Sequence, residues 1–209
     1  LVTFLSAYAS QPQSDKSQLP AISFAEYSTT QDHKKAACKS VTTMALDLDG
    51  VGEGKQRRPY MPQEVQSILT YFSQFEYVLY TSFSSKPGDL KMRLIVRLDA
   101  PIPAGDWRAA FETIRAETGN IIDRQCKNPN RFFYLPCNEA KVHHNPGAAY
   151  PSAHLLRGAN LTPGTQPDPD RPQDRPICTK AALQRIARKL KAAKHTLPRH
   201  FGAVPQNVL

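Results

Sequence analysis

The sequence predicts a mixed α/β (α+β) domain whose sheet is mostly antiparallel and flanked by helices. Three observations lead there. The run Thr43-Met44-Ala45-Leu46-Asp47-Leu48-Asp49-Gly50 has the alternation of a buried strand ending in two acids. Two further strand-like runs, residues 77–82 and 91–98, are separated by one short polar turn and can therefore pair antiparallel. Between and after these runs, residues 62–74 and 106–118 carry apolar side chains at helical spacing.

In chain order, residues 1–9 read as an opening strand, with Val2-Thr3-Phe4-Leu5 as its apolar part. Residues 1–10 also resemble the tail of a signal peptide, but they lack a basic lead-in. Residues 10–20, rich in Ser, Gln and Pro, form a loop. Residues 22–29 fit a short helix or a strand equally well. The acid-tipped strand follows, and Gly50 lets the chain turn away from it. Residues 51–58 are Gly-rich and charged, as surface loops are. Pro62 suits a first helical turn, and Val65, Ile68, Leu69 and Phe72 then mark one buried stripe.

The hairpin turn is Phe83-Ser84-Ser85-Lys86-Pro87-Gly88. Pro101 and Pro103 are expected to break the chain after the second hairpin strand. Asp106 caps a helix that buries Trp107, Phe111 and Ile114 and stops at Gly119. Residues 121–123 read as a short strand with a third acid at its end, and residues 131–136 as another strand, with Phe132 and Tyr134 packed in the core. Residues 143–160 are irregular. The expected organisation is a catalytic domain over 1–158, a Pro-rich linker over 159–178 and a basic helical appendage over 179–209.

The chain has 209 residues, 40% of them hydrophobic, enough for one well-buried domain. No apolar run approaches the roughly 20 residues of a membrane helix. Cys38, Cys126, Cys137 and Cys178 are scattered, and a chain with this much core needs no disulfides, so reduced thiols and a cytoplasmic location are expected. Cys126, Cys137, His143 and His144 could be weighed as zinc ligands, but their spacing matches no common pattern. The net charge is +9, and residues 171–200 hold nine Lys or Arg against the single acid Asp174. The basic charge is thus concentrated near the end of the chain, as suits a polyanion such as nucleic acid, with Arg185, Arg188, Lys189 and Lys191 as the expected contacts.

Asp47 and Asp49 lie on the same side of a strand, as two carboxylates sharing divalent cations must. A hydroxyl- and Lys-bearing turn leads into a strand carrying Arg93, and Asp123 follows a helix. Nucleotidyl transfer needs this combination, since carboxylates hold the metal ions while hydroxyls and cations grip a triphosphate. Leu46-Asp47-Leu48-Asp49-Gly50 and Val78-Leu79-Tyr80-Thr81-Ser82 also resemble two motifs of haloacid-dehalogenase-type phosphatases. That family needs a later acid pair on a further strand, and the chain after Tyr134 offers none.

Ala45-Leu46-Asp47-Leu48-Asp49-Gly50, the region Tyr80-Thr81-Ser82-Phe83-Ser84-Ser85-Lys86-Pro87 with Lys91-Met92-Arg93-Leu94-Ile95-Val96, and Ile122-Asp123 with Asn130-Arg131-Phe132-Phe133-Tyr134 together resemble the archaeo-eukaryotic primase superfamily. The resemblance is to primase-polymerases of phages, plasmids and integrated elements, and it covers most of residues 1–140. It implies an RRM-like primase-polymerase core, template-directed nucleotidyl transfer on single-stranded DNA, and magnesium or manganese held by Asp47, Asp49 and Asp123. Ser82, Ser84, Ser85, Lys86, Arg93 and Arg131 would lie near the incoming nucleoside triphosphate, with Arg131 contacting nucleotide or bracing a carboxylate. A helicase often follows the linker in relatives. The family usually carries His near Phe83 or Ser85, and this chain has none there. Either Lys86, Lys91 or Arg97 compensates, or the domain serves as a non-catalytic, DNA-binding replication initiator.

Overall fold

The computed structural model describes residues 1–29, 35–52 and 56–160. The expected linker, and the basic helix with Arg185, Arg188, Lys189 and Lys191, lie outside the described residues.

The spine is β3 (Cys38–Leu48), after two short strands, β1 (Ala21–Ser23) and β2 (Ala25–Tyr27). Helix α2 (Pro62–Tyr71), strands β4 (Tyr77–Thr81) and β5 (Met92–Pro103), and helix α3 (Trp107–Glu117) follow in that order. The main sheet has the order β2-β3-β5-β4, closed by β7 (Val142–Asn145), and every neighbouring pair is antiparallel. Strands β3 and β4 therefore run the same way on either side of β5. A separate ribbon pairs β1 with β6 (Phe132–Tyr134). The sheet is antiparallel where a haloacid-dehalogenase-type domain has a doubly wound parallel one, so that alternative falls.

The sheet is buried on both faces. Met44, Leu46 and Leu48 of β3 are fully buried and join one core with the stripes of α2 (Val65, Ile68, Leu69, Phe72) and α3 (Trp107, Phe111, Ile114). The opposite parity set, Ala45, Asp47, Tyr80, Arg93 and Ile95, is covered from the ribbon side. Tyr80 Oη donates to the Tyr134 carbonyl (3.0 Å), and the Phe133 ring lies 5.8 Å from the Arg93 guanidinium. The two helix stripes read from the sequence are thus both used by the core.

Several expectations need correction. Residues 1–9 form helix α1 (Val2–Ala9), not a strand. Leu5 and Ala9, four apart, are its buried residues, and a short apolar run with that spacing serves a helix as readily as a strand. Residues 22–29, left open, contain strands. Pro101 and Pro103 do not end β5. Pro101 falls where the pairing with β3 slips between Val41 and Thr43, and Pro103 is the last residue, two positions where a missing N–H does little harm. Asp106 stands at the N-cap of α3 but makes no side-chain capping bond.

Residues 121–123 are not a strand. They lead into a short 3-10 turn, Arg124–Lys127, capped by the Asp123 carboxylate accepting the Gln125 N–H at 3.0 Å. In β6 it is Phe133 that is buried, while Phe132 is 45% exposed and Tyr134 only half-buried, so the core parity of that strand is the reverse of the one expected. Residues 143–160 are largely ordered, as the end of β7 and helix α4 (Ser152–Asn160). The Asp99 carboxylate accepts from both the Ser152 N–H (2.8 Å) and its hydroxyl (2.7 Å), fixing the start of α4 from a distant strand.

Candidate metal centre

Asp47 is the penultimate residue of β3, and the register sets its surroundings. It stands opposite Arg93 on β5, which stands opposite Tyr80 on β4, so all three side chains share one face. Arg93 Nε donates to Asp47 Oδ1 at 2.8 Å, and its Nη1 donates to the Tyr134 carbonyl. Its guanidinium lies against the Tyr80 and Phe133 rings, 5.9 and 5.8 Å from their centroids. Burial opposes the Arg93 charge, but Asp47 and Tyr80 together outweigh it and leave its pKa above the ordinary value. Arg93 is 8% exposed, so it is a buried brace for Asp47 rather than a surface cation.

Asp123 reaches the same place through the open flank of β3. Its N–H donates to the Asp47 carbonyl (3.2 Å), and the Asp47 N–H donates to Cys126 Sγ (3.2 Å), so the 3-10 turn docks where a further strand could have paired. Trp107 Nε1 holds the turn from behind through the Cys126 carbonyl at 2.9 Å. Asp47, Asp123 and Cys126 present ligand atoms all within 4.8 Å of one another. Burial pushes the Asp123 carboxyl above the usual carboxylate range, with Asp47 and Asp49 adding to the rise against the Gln125 N–H and Arg131. Burial likewise pushes the Cys126 thiol up, which leaves it a neutral packing group.

Asp49 sits one residue past the strand, half exposed, with Lys91 Nζ 3.9 Å from its carboxylate. Gly50 turns the chain with φ +116°, and a Cβ there would lie 2.5 Å from the Arg58 carbonyl oxygen, so no other residue fits without a shift. Arg57 donates to the Asp49 carbonyl and pairs with Asp89 of the hairpin turn at 2.8 Å. Tyr60 donates to the Ile121 carbonyl. Its hydroxyl is pushed up by burial and by the negative charges of Asp49, Glu64 and Asp123 around it. Two of the acids, Asp47 and Asp123, therefore meet from separate segments, and Asp49 follows two residues after Asp47.

Arg131 completes the cluster. Its Nη2 bridges Asp47 Oδ2 at 2.5 Å and Asp123 Oδ2 at 3.2 Å, and Nη1 donates to Gln125 Oε1 at 3.0 Å. The acids are hard oxygen donors, and a guanidinium N–H already marks a point where two of them hold positive charge, so the set suits a hard divalent cation. The Ser82–Lys86 turn springs from the same end of the sheet, since Thr81, Met92 and Leu48 lie across from one another. Ser84 and Lys86 are exposed, and Ser85 Oγ accepts the Lys91 N–H at 3.2 Å. Arg97 pairs with Glu76 farther along β5 (2.9 Å) and does not join the cluster.

The zinc alternative gains nothing. Cys126 joins the acids, His144 faces Glu76 at 3.5 Å, and His143 lies beside the Tyr77 ring. Sequence reasoning missed Tyr60, Cys126 and Trp107 as supports of the site. The signal for the last two was a buried turn anchored on a strand flank, which no short-range pattern announces.

The comparisons with known proteins can be set beside this geometry. Among solved structures, the chain is similar to the AEP domain of the cyanophage S-2L primase-polymerase. The two are 15% identical over 68% of this chain and 70% of that one, with a TM-score of 0.46. No protein-family model and no curated protein sequence matches the chain. No helix among the described residues is long and apolar enough to cross a membrane.

Proposed function

We propose that the chain is the primase-polymerase domain of a mobile-element or plasmid replication protein, joining nucleoside triphosphates on a single-stranded DNA template. The observation that carries this reading is the meeting of Asp47 and Asp123, with Asp49 two residues beyond Asp47, at the end of the sheet from which the Ser82–Lys86 turn springs. Asp47, Asp49 and Asp123 would hold magnesium or manganese, which when bound activates an attacking 3′-hydroxyl and stabilises the departing pyrophosphate. Arg93 aims the Asp47 carboxylate through its 2.8 Å bond. Ser82, Ser84, Ser85 and Lys86 offer hydroxyls, amides and a cation to the triphosphate, and Lys91, 3.9 Å from Asp49, is a further cation to compensate for the missing histidine. Arg185, Arg188, Lys189 and Lys191 would track the template backbone, and a helicase domain or partner and a cytoplasmic setting belong to the same reading.

A second reading has one observation in its favour. Both Asp47 oxygens are held by arginines, an arrangement equally suited to a domain that binds DNA without turning over nucleotides. Incorporation of labelled nucleotide on a single-stranded template, with magnesium or manganese, separates the two. The wild type should incorporate. Asp47→Asn, Asp49→Asn and Asp123→Asn should each fall at least about a hundredfold, a loss of the several kcal/mol that metal-held charge supplies. Undiminished incorporation in all three variants removes the site assignment. Template binding without any wild-type incorporation selects the second reading.

A further inference from the structure

Arg131 and Arg93 both grip Asp47, yet their seats differ. Arg93 is enclosed: two rings flank it, its carboxylate bond is a well-formed 2.8 Å, and its Nη1 donates to an interior carbonyl. Arg131 has one ring beside it, Phe133 at 5.7 Å, and a looser set of polar contacts. Its Nη2 is shared unequally between two carboxylates, its Nη1 reaches an exposed glutamine oxygen, and its Nε is buried without a hydrogen-bond partner among the described residues. A buried, unpartnered N–H is a standing penalty that relocation of the side chain removes. The side chain is also 21% exposed, twice the exposure of Arg93.

Charge points the same way. Asp47, Asp49 and Asp123 face Arg93, Arg131 and Lys91, so the cluster is neutral as it stands. A divalent ion entering among the acids would meet the Arg131 guanidinium at close range and be repelled, unless that group leaves. We propose that Arg131 is a displaceable internal cation that plugs the carboxylate centre. A divalent ion binds by expelling the guanidinium from between Asp47 and Asp123, and the freed group then stands at the mouth of the site, available to an incoming polyanion. This rests on the metal-site reading given under Proposed function, and the test below lets the two fail separately.

The test is manganese binding to the full chain, read by the loss of the free-ion electron paramagnetic resonance signal. Arg131→Gln should bind Mn2+ about tenfold more tightly than the wild type. Asp123→Asn, in either background, should remove that binding. Equal or weaker affinity in Arg131→Gln, with binding still dependent on Asp123, overturns the plug and leaves the metal centre standing. Binding that Asp123→Asn does not affect in either background overturns both. Should Arg131→Gln fail to fold, the wild type answers alone. In a Mg2+ titration followed through arginine Nε–Hε resonances, the Arg131 signal should move while that of Arg93 stays. No movement of either signal overturns the proposal.

Discussion

Glu64 shows how single side chains hold the site's scaffold. Its carboxylate takes a two-pronged grip from Arg58, at 2.8 and 2.7 Å, and accepts the Met61 N–H at 2.9 Å, which closes the start of α2. One carboxylate thus ties the loop after Asp49 to the helix behind it. Hydrogen bonding from Arg58 holds Glu64 below its ordinary value of 4.5, with burial opposing and the Met61 N–H and the Arg58 charge adding to the drop. Because the folded value is depressed, the stabilisation is fully present above pH 4.5 and is lost as pH falls through the folded value. Glu64→Gln should lower stability at neutral pH by about 2 kcal/mol. Denaturant titrations should show the gap to wild type closing on acidification below pH 4.5, and a gap that stays constant would contradict the assignment.

Elements differ in how plainly the sequence announces them. The acid-tipped strand, α2, the β4–β5 hairpin and α3 were legible because each carries its own periodicity, and each was found within a few residues. Helix α1 was misread because one buried pair, Leu5 and Ala9, is too little pattern to choose between helix and strand. Strand β7 was missed because Val142-His143-His144-Asn145 has no apolar alternation. It exists through pairing with β4 and through the Asn145 side chain, which donates to the Phe75 carbonyl at 2.8 Å. The same corner holds Gly147, where a Cβ would lie 2.6 Å from the Phe75 carbonyl carbon and 2.7 Å from the Gln74 carbonyl oxygen. Since both neighbours are backbone, Gly147→Ala should cost about 1–3 kcal/mol by overpacking, read as a lowered thermal midpoint. An unchanged midpoint would mean that the β4–β7 corner is loosely held.

Across the whole molecule, the acids belong together only because of topology. Asp47 and Asp49 announce themselves as a pair on one strand, but Asp123 follows another helix. Its place beside them depends on a turn docked by Cys126 and Trp107 on the free flank of β3. The motif order of the primase resemblance led to Asp123 and offered Arg131 as a brace for a carboxylate, whereas the Arg93 grip on Asp47 was not legible, since it depends on strand register. The basic appendage is a separate matter of charge. Replacing Arg185, Arg188, Lys189 and Lys191 together by Gln should weaken single-stranded DNA binding and reduce the slope of log affinity against log salt by about three. An unchanged slope would remove those residues from the interface. The central claim is that the Asp47–Asp49 pair and the distant Asp123 form one cation centre. Anomalous diffraction from crystals soaked in manganese and a nucleoside triphosphate tests it most directly. The account predicts a manganese peak within coordination distance of the Asp47, Asp49 and Asp123 carboxylates, with Arg131 turned away. A fully occupied nucleotide with manganese elsewhere, and Arg131 still bridging Asp47 and Asp123, would contradict it.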